Sequence, residues 1–176
     1  MSELAGDEWA ETLVGHQWPG SSALATLSAA AASRQSVGSS FHGYADVLGS
    51  VTDALSDQQG EAADGIRASF RAGAEHARGV AERNAAKTAA LTHAHRCTTE
   101  LRSALREIAD RRAGQIRSIL DGRDPMKAER VAEVIAAART EADGRAALCM
   151  QEVYGSIQAV LDASGVDVSA REFTGG

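Results

Sequence analysis

Apolar residues recur at alternating three- and four-residue intervals along most of the chain. Long stripes of this kind run through residues 24–55, 66–119 and 131–160. This spacing is typical of helices that bury one side. The stripes predict helices at about residues 22–57, 61–121 and 125–163, and a shorter stripe predicts another helix within residues 3–14. We therefore expect an all-α fold.

Breaks between the stripes indicate how these helices are connected. They fall at Trp18-Pro19-Gly20, at Asp57-Gln-Gln-Gly60 and at Asp121-Gly-Arg-Asp-Pro125. Short connections place successive helices antiparallel. We expect an elongated antiparallel helical bundle in which the long central helix (about 61–121) is flanked by the other two. The predicted organisation is a short helix and turn at 1–20, the bundle at 21–163 and a flexible tail at 164–176.

Antiparallel pairing also predicts which residues face each other around the first long turn. The predicted register places Tyr44 opposite Gly73 and Leu48 opposite Phe70. Large side chains then meet small ones or fill the space between the two helices. By the same reasoning Phe41 faces Ala77.

Around the second turn the same reasoning places Cys97 level with Cys149, so we predict an adjacent cysteine pair. The thiols are expected to stay free in a reducing compartment, whereas export to an oxidising one would permit a disulfide. Trp18 is expected to lie against the central and last helices near Thr98 and Cys149.

Composition narrows the range of functions. The chain has 176 residues, is 44% hydrophobic and carries a net charge of −6 with acidic and basic residues interspersed. This balance argues against a dedicated nucleic-acid binder. The chain contains no run of about 18 apolar residues, and its acidic N-terminus lacks an apolar signal region. We therefore expect no membrane span and no Sec signal peptide.

Residues able to bind a metal crowd at one place, Thr92-His-Ala-His-Arg-Cys97. His93 and Cys97 are four residues apart and share a helix face, whereas His95 points elsewhere. A closed zinc site needs four ligands, so these two predict no metal site. Gly-rich phosphate loops, metalloprotease motifs and nucleophile elbows are absent from the sequence. We therefore expect no enzymatic activity and no cofactor.

The first long turn resembles a motif of secreted helical proteins. Residues 58–63, Gln-Gln-Gly-Glu-Ala-Ala, are similar to the W-x-G-x-A-A turn of WXG and PPE-like proteins, with Gln58 in place of tryptophan. Those proteins are helical-hairpin substrates of type VII (ESX) secretion in mycobacteria and related actinobacteria. Tyr44-Ala-Asp-Val-Leu-Gly-Ser-Val-Thr-Asp53, the long third helix and the Asp124-Pro125 break resemble the N-terminal region of EspK-like proteins of that system.

This resemblance implies a non-enzymatic helical protein-interaction domain associated with type VII secretion. The expected partner is another helical protein or a second copy of the chain, with no nucleic acid. The predicted interface lies at the hairpin tip and comprises Val51, Leu55, Gln58, Gln59, Gly60, Ile66 and Phe70. The alternative is a self-associating structural coiled-coil protein unrelated to secretion.

The resemblance also bears on where the protein acts. Members of that system, or their partners, carry a Tyr-x-x-x-Asp/Glu secretion signal. Here Leu48 stands at the fourth place after Tyr44, and Gln158 stands at the fourth place after Tyr154. The chain would therefore be cytoplasmic, be exported without a Sec signal through a partner, or be part of a longer protein.

Overall fold

A computed structural model describes residues 8–123 and 125–163, and these residues form helices without any strand. A short helix α1 (Ala10–Val14) continues into a 3-10 turn (Gly15–Gln17), and three long helices follow: α2 (Ser21–Ala54), α3 (Glu61–Asp121) and α4 (Lys127–Ala163). Helix α3 is central and is flanked by α2 and α4. The prediction of an all-α bundle with a long central helix is confirmed. The predicted tail at 164–176 lies outside the described residues.

The helix boundaries follow from local backbone chemistry. Trp18 is extended, with φ −72° and ψ 116°, as expected for a residue that precedes proline. Gly60 has a φ of 112°, a left-handed conformation that favours glycine, and α3 begins at the next residue. Helix α2 ends at Ala54, three residues earlier than predicted, and α4 begins at Lys127, two residues later than predicted.

The contacts divide the chain into two compact units. The first unit comprises the described residues up to Leu27 together with His93–Ser156. The second unit comprises Ser28–Thr92 together with the described residues from Ile157 onward. Helix α3 contributes its second half to the first unit and its first half to the second.

The core of the first unit contains buried side chains from three helices, and the largest of them come from α1 and α3. Leu13 and Val14 of α1 are fully buried, and so are Leu105 and Ile116 of α3. Further members of this core are Ile108, Ala109, Ala113, Ala138 and Ala142. The short helix α1 therefore supplies the third layer over the α3–α4 pair.

Polar contacts fix α1 and its 3-10 turn to α4. The Arg139 Nε donates a hydrogen bond to the carbonyl oxygen of Thr12 at 3.1 Å. The Gln17 side-chain amide donates to an oxygen of Asp143 at 2.8 Å, and the His16 ring nitrogen lies 2.9 Å from the same oxygen. The hydrogen bond from Gln17, followed by that of His16, holds the pKa of Asp143 below its usual value.

The second unit has a narrow seam between α2 and α3, built from small residues. Its buried side chains are Ala45, Leu48 and Thr52 on α2, and Ala74, Ala77, Ala81 and Asn84 on α3. A Cβ added at Gly73 would lie 3.1 Å from Leu48 Cδ1, and one at Gly38 would lie 3.5 Å from the carbonyl oxygen of Ala81. Glycine and alanine therefore let the two helices approach closely.

The register of this seam differs from the prediction by about one helical turn. Leu48 rather than Tyr44 contacts Gly73, and Tyr44 is 55% exposed. Ala45 is buried in its place, because the close approach admits a methyl group but no phenol ring. Side chains lean toward the N-terminus of their own helix, so partners in an antiparallel pair lie farther along each chain than their Cα positions suggest. Phe41 is only half-buried.

Trp18 also lies farther along α3 than predicted. Its ring packs at the edge of the first unit's core, with the guanidinium carbons of Arg102 and Arg106 at 4.8 and 5.7 Å from the ring centroid. The predicted neighbour on α3, Thr98, is one turn earlier. The Trp-Pro-Gly turn thus covers the core next to α1 and the two arginines.

Candidate functional site

The α2–α3 hairpin of the second unit has one apolar flank. Beside the seam, α2 presents Tyr44, Val47 and Val51, and Leu55 follows its last residue. Near the same tip, α3 presents Ile66 and Phe70. With 100° of rotation per residue, the α2 residues lie to one side of the seam, whereas Ile66 and Phe70 lie on the stripe of α3 that faces α2, toward the tip of the hairpin. We call these six residues the apolar flank.

Much of the apolar flank is open to solvent. Tyr44 is 55% exposed, Val47 is 58% exposed and Ile66 is 49% exposed. The remaining residues of the flank, Val51, Leu55 and Phe70, are half-buried. Within the described residues, no third helix of the second unit buries these side chains.

The opposite flank of the hairpin has a different chemistry. Its residues are His42, Asp46 and Asp53 on α2, and Arg71, Glu75, Arg78 and Glu82 on α3. Charges that are exposed to water need no further burial. The hairpin therefore has apolar residues on one side and charged residues on the other.

The turn at the hairpin tip is held by Arg67. Its Nη1 donates hydrogen bonds to the carbonyl oxygens of Leu55, Ser56 and Gln58, each at 3.0 Å, and its Nη2 pairs with Asp64. These carbonyls lie just beyond the C-terminal end of α2, where helical partners run out. The arginine thus ties the turn to the first part of α3. Sequence reasoning missed it, because an arginine in a helix gives no signal that it reaches back across a turn.

The predicted interface residues all lie at this tip. Gln58, Gln59 and Gly60 are exposed in the turn, and Ile66 is the most exposed apolar residue of the predicted set. Sequence reasoning missed Val47 and assigned Tyr44 to the seam. Their spacing with Val51 was a usable signal, because residues at i, i+3 and i+7 share one helix face.

A second group of interest lies between α3 and α4 in the first unit. Cys97 and Cys149 line one cavity of about 150 Å³, together with Glu100 and Glu152 among others, and both cysteines are free. The structure therefore places the predicted cysteine pair in a shared cavity.

Both thiols stand in surroundings that favour the protonated form. Burial raises the pKa of Cys97 to about 11, with further contributions from a hydrogen bond to Glu152 and from the nearby acidic groups. The thiol donates this hydrogen bond over 3.3 Å. Burial also raises the pKa of Cys149, followed by the charges of Glu152 and Glu100.

His93 completes a group of three potential metal ligands. Its Nε2 lies 3.5 Å from Cys97 Sγ, and ligand atoms of His93, Cys97 and Glu152 all lie within 4.8 Å of one another. The shared face of His93 and Cys97 follows from their spacing. Glu152 was missed, because it stands 55 residues from Cys97 in sequence and only the α3–α4 packing brings it there.

An ion-pair cluster links the same two helices farther along. Arg111 Nη2 donates to both carboxylate oxygens of Glu141 at 2.7 Å, and Arg112 Nη2 donates to one of them at 3.1 Å. These hydrogen bonds, that of Arg111 foremost, hold the pKa of Glu141 below its ordinary value despite some desolvation.

Comparisons with protein-family models, curated proteins and solved structures found no match to this chain. Among the helices that the structure describes, none combines the length and the apolar character needed to cross a membrane.

Proposed function

We propose that this chain is a non-enzymatic helical protein-interaction domain associated with type VII secretion, of the WXG, PPE or EspK-like type. In this proposal the apolar flank binds an amphipathic helix of a second helical protein. The complex would act in the cytoplasm or be exported without a Sec signal.

The exposed apolar flank is the observation that carries the proposal. Contiguous apolar patches on soluble proteins mark interaction sites, and an apolar helix face in a groove is a common mode of recognition. From Tyr44 to Leu55 the flank extends over about three helical turns, roughly 17 Å, which suits a short partner helix. Its outer borders on the two helices include the small uncharged residues Ser40, Gly43, Gly65 and Ser69.

The hairpin tip supports the link to type VII secretion. The turn that resembles the W-x-G-x-A-A motif connects two long antiparallel helices, and its glycine, Gly60, has the positive φ that glycine favours. Gln58, which stands in place of the tryptophan, is exposed in the turn. Neither tyrosine begins a Tyr-x-x-x-Asp/Glu signal. Export would therefore depend on a partner that carries one.

The interaction is tested with two variants of matched size and charge on α3. Ile66→Glu places a carboxylate on the apolar flank, whereas Ala68→Glu places one at an exposed position outside it. The wild-type chain is purified from its host with any bound partner, and the partner is identified and produced separately. Binding of the pure partner to each variant is then measured by calorimetry.

The expected result is a complex with a helical protein that Ile66→Glu weakens by at least about tenfold, because a buried unpaired charge costs well over 1 kcal/mol. Ala68→Glu should bind like the wild type. A homodimer in light scattering that Ile66→Glu dissociates would replace the partner with a second copy and overturn the proposal. Equal binding by both variants would place the interface elsewhere.

The secretion link has its own test in the host. The chain and its partner are followed in cells and culture medium, with the type VII secretion ATPase intact or disrupted. The proposal expects the partner to be a type VII component, or export of the pair to stop when the ATPase is disrupted. A partner with no such dependence would contradict the secretion link and leave the interaction domain standing.

A further inference from the structure

We propose that His93, Cys97 and Glu152 form a zinc-binding site that joins α3 to α4 within the first unit. This site is separate from the apolar flank and does not depend on the interaction proposed for it. Sequence reasoning expected no metal because α3 alone supplies two ligands, and the third comes from α4.

The spacing of the three side chains fits tetrahedral coordination. Ligand bonds of about 2.0–2.3 Å place neighbouring ligand atoms of a tetrahedral site roughly 3.3–3.8 Å apart. Cys97 Sγ lies 3.3 Å from Glu152 Oε2 and 3.5 Å from His93 Nε2. The remaining separation, between His93 and Glu152, is within 4.8 Å. Small side-chain rotations would close it.

The donor set selects zinc among common divalent ions. Thiolate, imidazole and carboxylate are the three ligand types that zinc takes in proteins, whereas magnesium and calcium prefer oxygen alone. Three protein ligands leave a fourth position for water, and the cavity of about 150 Å³ beside Cys97 and Glu152 has room for it. Cys149 lines the same cavity without belonging to the three-ligand group.

Binding requires defined proton movements. The Cys97 S–H bond breaks, an Sγ–zinc bond forms, and the proton passes to solvent. His93 Nδ1 now accepts a hydrogen bond from Arg96 at 2.9 Å, so its proton is on Nε2. To bind zinc through Nε2, the ring moves that proton to Nδ1, and Arg96 turns toward Glu100, which is 3.9 Å from its Nε.

Two carboxylates beside Cys97 suit a cation, and Arg96 and Arg145 are the basic side chains nearby. Glu152 is a ligand, and Glu100 lies close enough to act on both cysteines. A divalent ion interacts favourably with both carboxylates, and its bonds add a direct link between α3 and α4. Zinc should therefore raise the unfolding temperature of the reduced chain.

The test uses the full chain, reduced and free of any histidine tag. Zinc is titrated in competition with a chromophoric chelator, and the expected result is one zinc per chain. His93→Gln, Cys97→Ala and Glu152→Gln should each weaken binding by more than about tenfold, since even outer-shell partners are worth 10- to 100-fold. The matched controls His95→Gln and Cys149→Ala should bind zinc like the wild type.

Cobalt provides a readout on the unmodified protein, so the test survives if a variant fails to fold. Cobalt bound to the wild type should show the strong visible absorption of a tetrahedral ion and a near-ultraviolet thiolate band. Absence of a zinc complex, or of the thiolate band, would overturn the proposal. Equal loss of zinc affinity in Cys97→Ala and Cys149→Ala would assign the metal to the two thiols and overturn the proposed set of three ligands.

Discussion

The two units bury different kinds of residues, although both contain part of helix α3. In the first unit, Leu105 and Ile116 of α3 are fully buried. In the second unit, the buried positions of the same helix are mainly alanines, and Ile66 is 49% exposed. The difference follows from the number of packing layers. Helix α1 adds a third layer in the first unit, whereas the described α2–α3 hairpin packs as a pair along its tip.

Two helices in contact can bury only a narrow strip of each surface. Close approach then favours small residues in the strip, and larger apolar residues remain on the flanks. In the hairpin, the larger apolar residues that this narrow contact does not bury form the apolar flank. A third helix would bury it, as α1 buries the corresponding surface of α3 and α4 in the first unit.

The largest expected effect comes from one substitution made at two isoleucines of α3. Ile116→Ala should destabilise the chain by about 2–5 kcal/mol, because it leaves a cavity in a fully buried site. Ile66→Ala should cost less than about 1 kcal/mol, because the side chain is already half in water. Denaturant unfolding measures both. Equal losses would show that the two units are packed alike.

A smaller loss of stability is expected on substitution of Trp18, which packs at the edge of the first unit's core. Trp18 lies half-buried under two arginines, and cation–π contacts are worth about 0.5–1 kcal/mol each at exposed sites. With the loss of packing, Trp18→Ala should cost about 2 kcal/mol. Trp18→Phe keeps a ring and should retain most of the stability in thermal unfolding. An unchanged melting temperature in Trp18→Ala would mean that the turn does not close this core.

The ion pairs of Glu141 are expected to contribute less to the free energy of unfolding than Trp18 does. Its folded pKa is lowered, so its stabilisation is present above its ordinary pKa of 4.5 and is lost as the pH falls through the folded pKa. Glu141→Gln should cost about 1 kcal/mol at pH 7 and little in strong acid. Exposed Glu133→Gln serves as the control. The same pH dependence of both variants in denaturant unfolding would show that the two arginines do not stabilise the folded chain through Glu141.

Chemical modification of the two cysteines perturbs the chain least and tests how deeply each is buried in the first unit. With a pKa of about 11, Cys97 is almost entirely protonated at pH 8, and it is only 3% exposed. Cys149 is less buried. A thiol reagent on the metal-free native chain should therefore modify Cys149 first, and the Cys97 rate should rise about tenfold per pH unit below its pKa. Mass spectrometry of the singly modified chain identifies the site, and modification of Cys97 first would contradict the structure.

Sequence periodicity was enough to predict the helices, since α3 was expected at about 61–121 and spans Glu61–Asp121. The register was harder, because it depends on side-chain direction and on how closely two backbones approach. Tyr44 was therefore assigned to the seam that Ala45 occupies. Contacts such as Arg67 with the turn and Glu152 with Cys97 depend on long side chains and on tertiary packing, which spacing along one helix does not reveal.

Hydrogen exchange of the isolated chain tests the difference between the two units most directly. Amide protection reports the free energy of local opening, which is smallest where few apolar contacts must be broken. We predict slower exchange in the α3 segment from Leu105 to Ile116 than in the segment from Ile66 to Ala74, which lies on the same helix. Equal protection of the two segments would contradict the claim that the hairpin lacks a third packing layer.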